Sequence, residues 1–77
     1  MDQNIPLAMA APGESVIVTE IRAGGGLQRR LADMGLTPGV KIKMINSQMP
    51  GPVLIDLRGA KVALGRGIAH KIAVKRV

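Results

Sequence analysis

Eleven residues in the middle of the chain leave it little freedom: Arg29-Arg30-Leu31-Ala32-Asp33-Met34-Gly35-Leu36-Thr37-Pro38-Gly39. Leu27, Leu31 and Met34 stand at i, i+4 and i+7, so they share one face of a short helix over residues 27–34. In that phase Met34 fills core space, while Arg29, Arg30 and Asp33 fall elsewhere on the cylinder. Gly35 stands where a helix end turns left-handed, and Leu36 can fold back as the apolar contact of a Schellman-type cap. Pro38 and Gly39 suit the two central positions of a type II turn. One short helix, its stop and the following turn are therefore written into a single stretch.

On both sides of that helix the chain reads as strand. Residues 14–22 are β-branched and long enough for a first strand. Val40-Lys41-Ile42-Lys43-Met44 alternates apolar and basic, the mark of a strand with one wet face. Residues 53–58 resume that pattern, with Val53, Ile55 and Leu57 on one side. A tight hairpin through Arg58 and Gly59 leads to a strand over 61–64. Residues 65–70 allow a single helical turn, and 71–75 form the last strand. Ile42, Ile55, Leu57, Val62 and Val74 take the apolar phase of their strands and are the expected core. About five short strands with closely spaced turns make a mainly β protein, a small barrel with one inserted helix. Residues 1–5 read as a loose lead-in, and the apolar run 5–11 as a short strand or an irregular segment.

A chain of 77 residues makes one domain, 1–77, with stability on the order of 4–11 kcal/mol. It has no aromatic residue, so Val, Ile, Leu, Met and Ala must build the core. It has no cysteine, which removes disulfides, thiolate metal sites and a cysteine nucleophile. No apolar run is long enough to span a bilayer, and Asp2 stands where a signal peptide needs basic residues. The expectation is a cytoplasmic protein without membrane insertion. Its formal charge of +6 favours an anionic partner: nucleic acid, an acidic protein face or the inner leaflet of a membrane.

Candidate chemistry is sparse. Gly24, Gly25 and Gly26 precede the helix, and helix N-termini attract anions, but neither phosphate-loop spacing nor a dinucleotide fingerprint is present. They read as a flexible loop into the helix. His70 is the only histidine, and the five acids are scattered singly, so no triad or metal cluster is readable. The five methionines share no ligand spacing. Lys41 and Lys43 share one strand face, as do Lys71 and Lys75 in the last strand. Small barrels with such faces bind nucleic acid, but single-stranded bases are held by aromatic stacking, which this chain cannot supply. The expected assignment is no catalytic residue, no metal and no cofactor.

The run from Arg29 to Gly39 resembles the signature of the ferrous iron transport protein A (FeoA) family. The likeness continues through Gly51-Pro52-Val53, Val62-Ala63-Leu64-Gly65 and Ile68-Ala69-His70-Lys71-Ile72-Ala73-Val74. With Pro6-Leu7 and Pro12-Gly13-Glu14 it covers about residues 6–76. The resemblance implies an SH3-like barrel with the helix inserted after the first long strand. It also implies a cytoplasmic accessory of the membrane ferrous iron transporter, a FeoB-type protein whose soluble domain binds and hydrolyses GTP. A similar module occurs in iron- or manganese-dependent repressors, but no helix-turn-helix segment is present here.

A helix projecting from a barrel is where a partner is expected to dock, because loops on rigid scaffolds carry binding. The expected contact residues are Leu27, Arg29, Arg30 and Met34, flanked by the loop Gly24, Gly25 and Gly26. Two alternatives stand beside this accessory role. One is a nucleic-acid-binding barrel. The other is a GTPase-activating component that inserts Arg29 or Arg30 as an arginine finger.

Overall fold

Strand pairing in the computed structural model, which describes residues 4–77, follows the alternation of apolar residues. The strands are β1 (Ile5–Pro6), β2 (Ser15–Ile21), β3 (Lys41–Asn46), β4 (Val53–Leu57), β5 (Ala60–Leu64) and β6 (Ile72–Arg76). A 3₁₀ turn (Leu7–Met9) follows β1. Helix α1 (Gly25–Asp33) connects β2 to β3, and α2 (Arg66–His70) connects β5 to β6. All pairings are antiparallel, in the order β1-β6-β2-β3-β4-β5. The sheet curls into a small SH3-like barrel. Irregularities between Val18 and Glu20 in β2 and between Met44 and Asn46 in β3 sharpen the bend.

Turn chemistry sets the register. Ala11, Pro12, Gly13 and Glu14 close a turn through the Glu14 N–H to the Ala11 carbonyl at 3.0 Å, with Gly13 at φ 84°. Arg58 (φ 53°) and Gly59 (φ 88°) form the two-residue loop between β4 and β5, in the mirror-image turn that matches strand twist. The Asp56 carboxylate accepts the Gly59 N–H at 2.8 Å and fixes that loop.

The inward faces meet in one apolar core that includes Leu7, Val16, Val18, Ile42, Met44, Ile55, Leu57 and Val74. Val62, expected there, is only half-buried: it packs against the core from β5, an edge strand with a neighbour on one side. The apolar run 5–11 opens with a short strand, one of its two expected readings, so Ile5 does not belong to a loose lead-in. Ile5 pairs with Val74 and packs on the core, because β6 would otherwise present an open edge to water. Residues 1–3 of the proposed lead-in lie outside the described residues. This pairing supplies the sixth strand. Lys71 lies at the end of α2, before β6 begins, so it does not share a strand face with Lys75.

Candidate functional site

Helix α1 starts earlier than its apolar spacing implies. Gly24 is its N-cap, and Gly25 and Gly26 form its first turn, closed by the Gln28 N–H donating to the Gly24 carbonyl at 3.0 Å. Two of the three glycines expected in a loop are therefore helical. Glycine disfavours helix by about 1 kcal/mol relative to alanine. Here a tertiary anchor offsets it: Gln28 Nε2 donates to the Ile21 carbonyl at 2.9 Å and ties the helix to the end of β2.

The far end follows the expected cap. Gly35 has φ 96°; its N–H donates to the Ala32 carbonyl at 2.9 Å, and the Leu36 N–H donates to the Leu31 carbonyl at 2.9 Å. This is the paired bonding of the Schellman motif. The type II turn follows, with the Val40 N–H on the Thr37 carbonyl at 3.1 Å and Gly39 at φ 97°. Leu36 is fully buried beside Leu31 in the core, whereas Met34 is 44% exposed. This corrects the core-filling role expected of Met34. The helix ends at Met34, and the chain folding back through Gly35 gives the third apolar slot to Leu36.

The remaining side chains divide by angle, at about 100° per residue. Leu31 is buried, and Leu27 packs partly buried against the core. Arg30 and Met34 lie on the flank nearest Leu27, and both are exposed. Arg29 lies about 100° from Arg30 and is also exposed. The four expected contact residues thus form a group of three, Leu27, Arg30 and Met34, with Arg29 set apart toward the opposite flank. Among the described residues the ion pairs are Arg22 with Glu20 at 3.3 Å and Arg76 with Glu14, so Arg29 and Arg30 are not engaged.

The opposite flank borders a cleft that the sequence reading missed. It has a volume of about 320 Å³ and is lined by Thr19, Glu20 and Ile21 of β2, Gln28 and Ala32 of α1, and Leu36, Thr37 and Pro38 after it. The β2 irregularity shapes its wall, where the Thr19 hydroxyl donates to the Ala73 carbonyl at 3.1 Å. Spacing could have flagged Gln28 and Ala32, which are four apart on one helix face. No residue pattern announces a bulge at Thr19.

No set of three or more His, Cys, Asp or Glu side chains converges among the described residues, and His70 is exposed at the end of α2. Among the described residues no helix is long and apolar enough to cross a membrane.

The FeoA domain profile matches residues 5–76, which take in every strand and both helices described above. The chain belongs to the FeoA family. A relative from Methanocaldococcus jannaschii, named "Putative Fe(2+) transport protein A", is 50% identical over 70 residues, covering 91% of this chain and 84% of its own. The crystal structure of an iron uptake regulatory protein, also a FeoA, superimposes with a TM-score of 0.87 at 33% identity, over 97% of this chain and 99% of that one. A manganese-dependent transcriptional repressor gives a TM-score of 0.88 at 20% identity, over 100% of this chain and 44% of its own. That likeness is one of fold alone. The FeoA profile thus includes the α1 surface, with Leu27, Arg29, Arg30 and Met34, and the residues that line the cleft.

Proposed function

We propose that this FeoA protein is a non-enzymatic, cytoplasmic accessory of ferrous iron uptake that docks on the membrane ferrous iron transporter, on the side of its GTP-binding domain. The observation that carries the reading is the state of α1. A helix anchored rigidly to the barrel presents half-buried Leu27, exposed Met34 and two arginines that make no ion pair among the described residues. Apolar anchors beside arginine are the composition of protein interfaces, and a guanidinium forms charge-assisted bonds with an acidic face. The protein acts by binding and holds no metal or cofactor of its own.

Co-purification with the full-length transporter, with and without GTP, tests the reading. Arg29→Glu with Arg30→Glu should shift folding stability by no more than about 0.5 kcal/mol per site, as exposed substitutions usually do. The same variant should lose transporter capture and reduce ferrous iron uptake in cells. A folded double variant that binds and supports uptake like the parent removes α1 as the docking element.

A further inference from the structure

We propose that the outer face of the sheet, where strand register gathers Lys41, Lys43, Lys61 and Lys75, is an electrostatic landing surface for an anionic lipid membrane. Two cross-strand rows make it. Lys75 pairs with Ile17, which pairs with Lys41. In the adjacent row Ser15 pairs with Lys43, Lys43 with Asp56, and Asp56 with Lys61. Their sequence neighbours Val16, Ile42, Met44, Ile55 and Val74 are buried, so these rows face outward. Lys41, Lys43 and Lys61 are exposed, and Lys75 is partly so.

The spacing makes the charges act together. Strands lie about 4.8 Å apart and residues of like facing about 6.8 Å apart, so neighbouring lysines fall within about 7–10 Å. That is comparable to the Debye length of roughly 8–10 Å at cellular ionic strength. None of the four is ion-paired among the described residues. The one acid within the rows, Asp56, has an oxygen committed to the Gly59 N–H. Three arginines are occupied elsewhere: Arg22 by Glu20, Arg76 by Glu14, and Arg66 by the Ser47 and Gly51 carbonyls at 2.7 and 3.3 Å.

The chemistry of the face selects its partner. Lysine is a hydrated, mobile point charge suited to a diffuse array of headgroups, whereas protein interfaces favour arginine and deplete lysine. Single-stranded nucleic acid calls for aromatic platforms, and the chain has none. Lysines that guard a sheet against aggregation belong on its edges. Lys41, Lys43 and Lys75 instead sit on the interior strands β3 and β6. Adsorption through this face would bring the protein to the surface in which a membrane transporter resides.

Vesicle sedimentation with the isolated chain tests the proposal without the transporter, so it and the α1 reading can fail separately. Vesicles of phosphatidylcholine alone should bind nothing; those with one third phosphatidylglycerol should bind the parent, less so as salt rises. Lys41→Gln and Lys43→Gln should each lower the partition coefficient roughly fivefold. Lys71→Gln, with the same charge lost off the face, should change it less than about twofold. The quadruple variant Lys41→Gln, Lys43→Gln, Lys61→Gln, Lys75→Gln should fall to the neutral-vesicle level, with circular dichroism confirming that it is folded. Equal binding to neutral and anionic vesicles overturns the proposal. So does a folded quadruple variant that binds like the parent. Tighter capture of duplex or single-stranded oligonucleotide through the same lysines, at matched phosphate and salt, reassigns the face to nucleic acid and also overturns it.

Discussion

At the scale of single residues, Gly35 and Gly26 carry opposite requirements. Gly35 holds φ 96°, and a Cβ there would meet Leu57 Cδ2 at 3.7 Å, an ordinary contact. The obstacle is therefore backbone conformation rather than space. Gly35→Ala should destabilise by about 1–2 kcal/mol, the cost of placing an L-residue in the left-handed region. Gly26 is helical with nothing within 4 Å of an added Cβ. Gly26→Ala should stabilise by up to about 1 kcal/mol. Urea midpoints of the two variants should move in opposite directions. Glu14 supplies a pH-dependent case. The Ala11 N–H donating to its carboxylate at 2.8 Å holds the carboxyl below its ordinary range, desolvation opposes that, and the hydrogen bond and charge of Arg76 add to the lowering. Unfolding releases these partners, so the unfolded chain takes up the proton first as pH falls. The contribution is whole above the ordinary carboxylate range and is lost as pH falls through the lowered folded value. Glu14→Gln should flatten part of the acid-side decline in unfolding midpoint; parallel declines in the two proteins would show that the pair contributes nothing.

At the scale of elements, the inward face of β4 is completely buried: Val53, Ile55 and Leu57. The strand lies between β3 and β5, with Met44 and Val62 directly across from Ile55. Ile55→Ala should cost about 2–5 kcal/mol, a large share of what a domain of this size possesses. Equilibrium denaturation measures it, and a loss well under 1 kcal/mol would mean that the barrel collapses around the gap. The register of β4 was readable because Asp56 and Arg58 mark the outward phase and leave Val53, Ile55 and Leu57 inward. The end of α1 was equally readable, since Gly35, Leu36, Pro38 and Gly39 each have one conformational use. Its beginning was not: helix propensity argues against Gly25 and Gly26, and the bond from Gln28 to Ile21 exists only once β2 is in place. Met34 misled for a related reason. Its spacing is right, but the cap delivers Leu36 to the slot first. The arrangement of the four proposed contact residues on α1 was therefore not readable, and the cleft beside them was invisible because its wall depends on a bulge.

At the scale of the whole molecule, the net charge was plain from composition, but its gathering on one sheet face required knowledge of which strands are neighbours. The same strand order has a consequence for how the chain assembles. β6 lies between β1 and β2, so Ile5 and Val18 both pair with Val74. The β3-β4-β5 meander closes through short connections, whereas the β6 pairings span most of the chain. Loop-closure entropy must be overcome before such distant pairs contribute, which places assembly on the order of milliseconds or longer. During synthesis the meander emerges before β6, and until β6 arrives the backbones of β1 and β2 have open hydrogen-bonding edges. Those edges are the segments through which nascent copies of this chain would join one another.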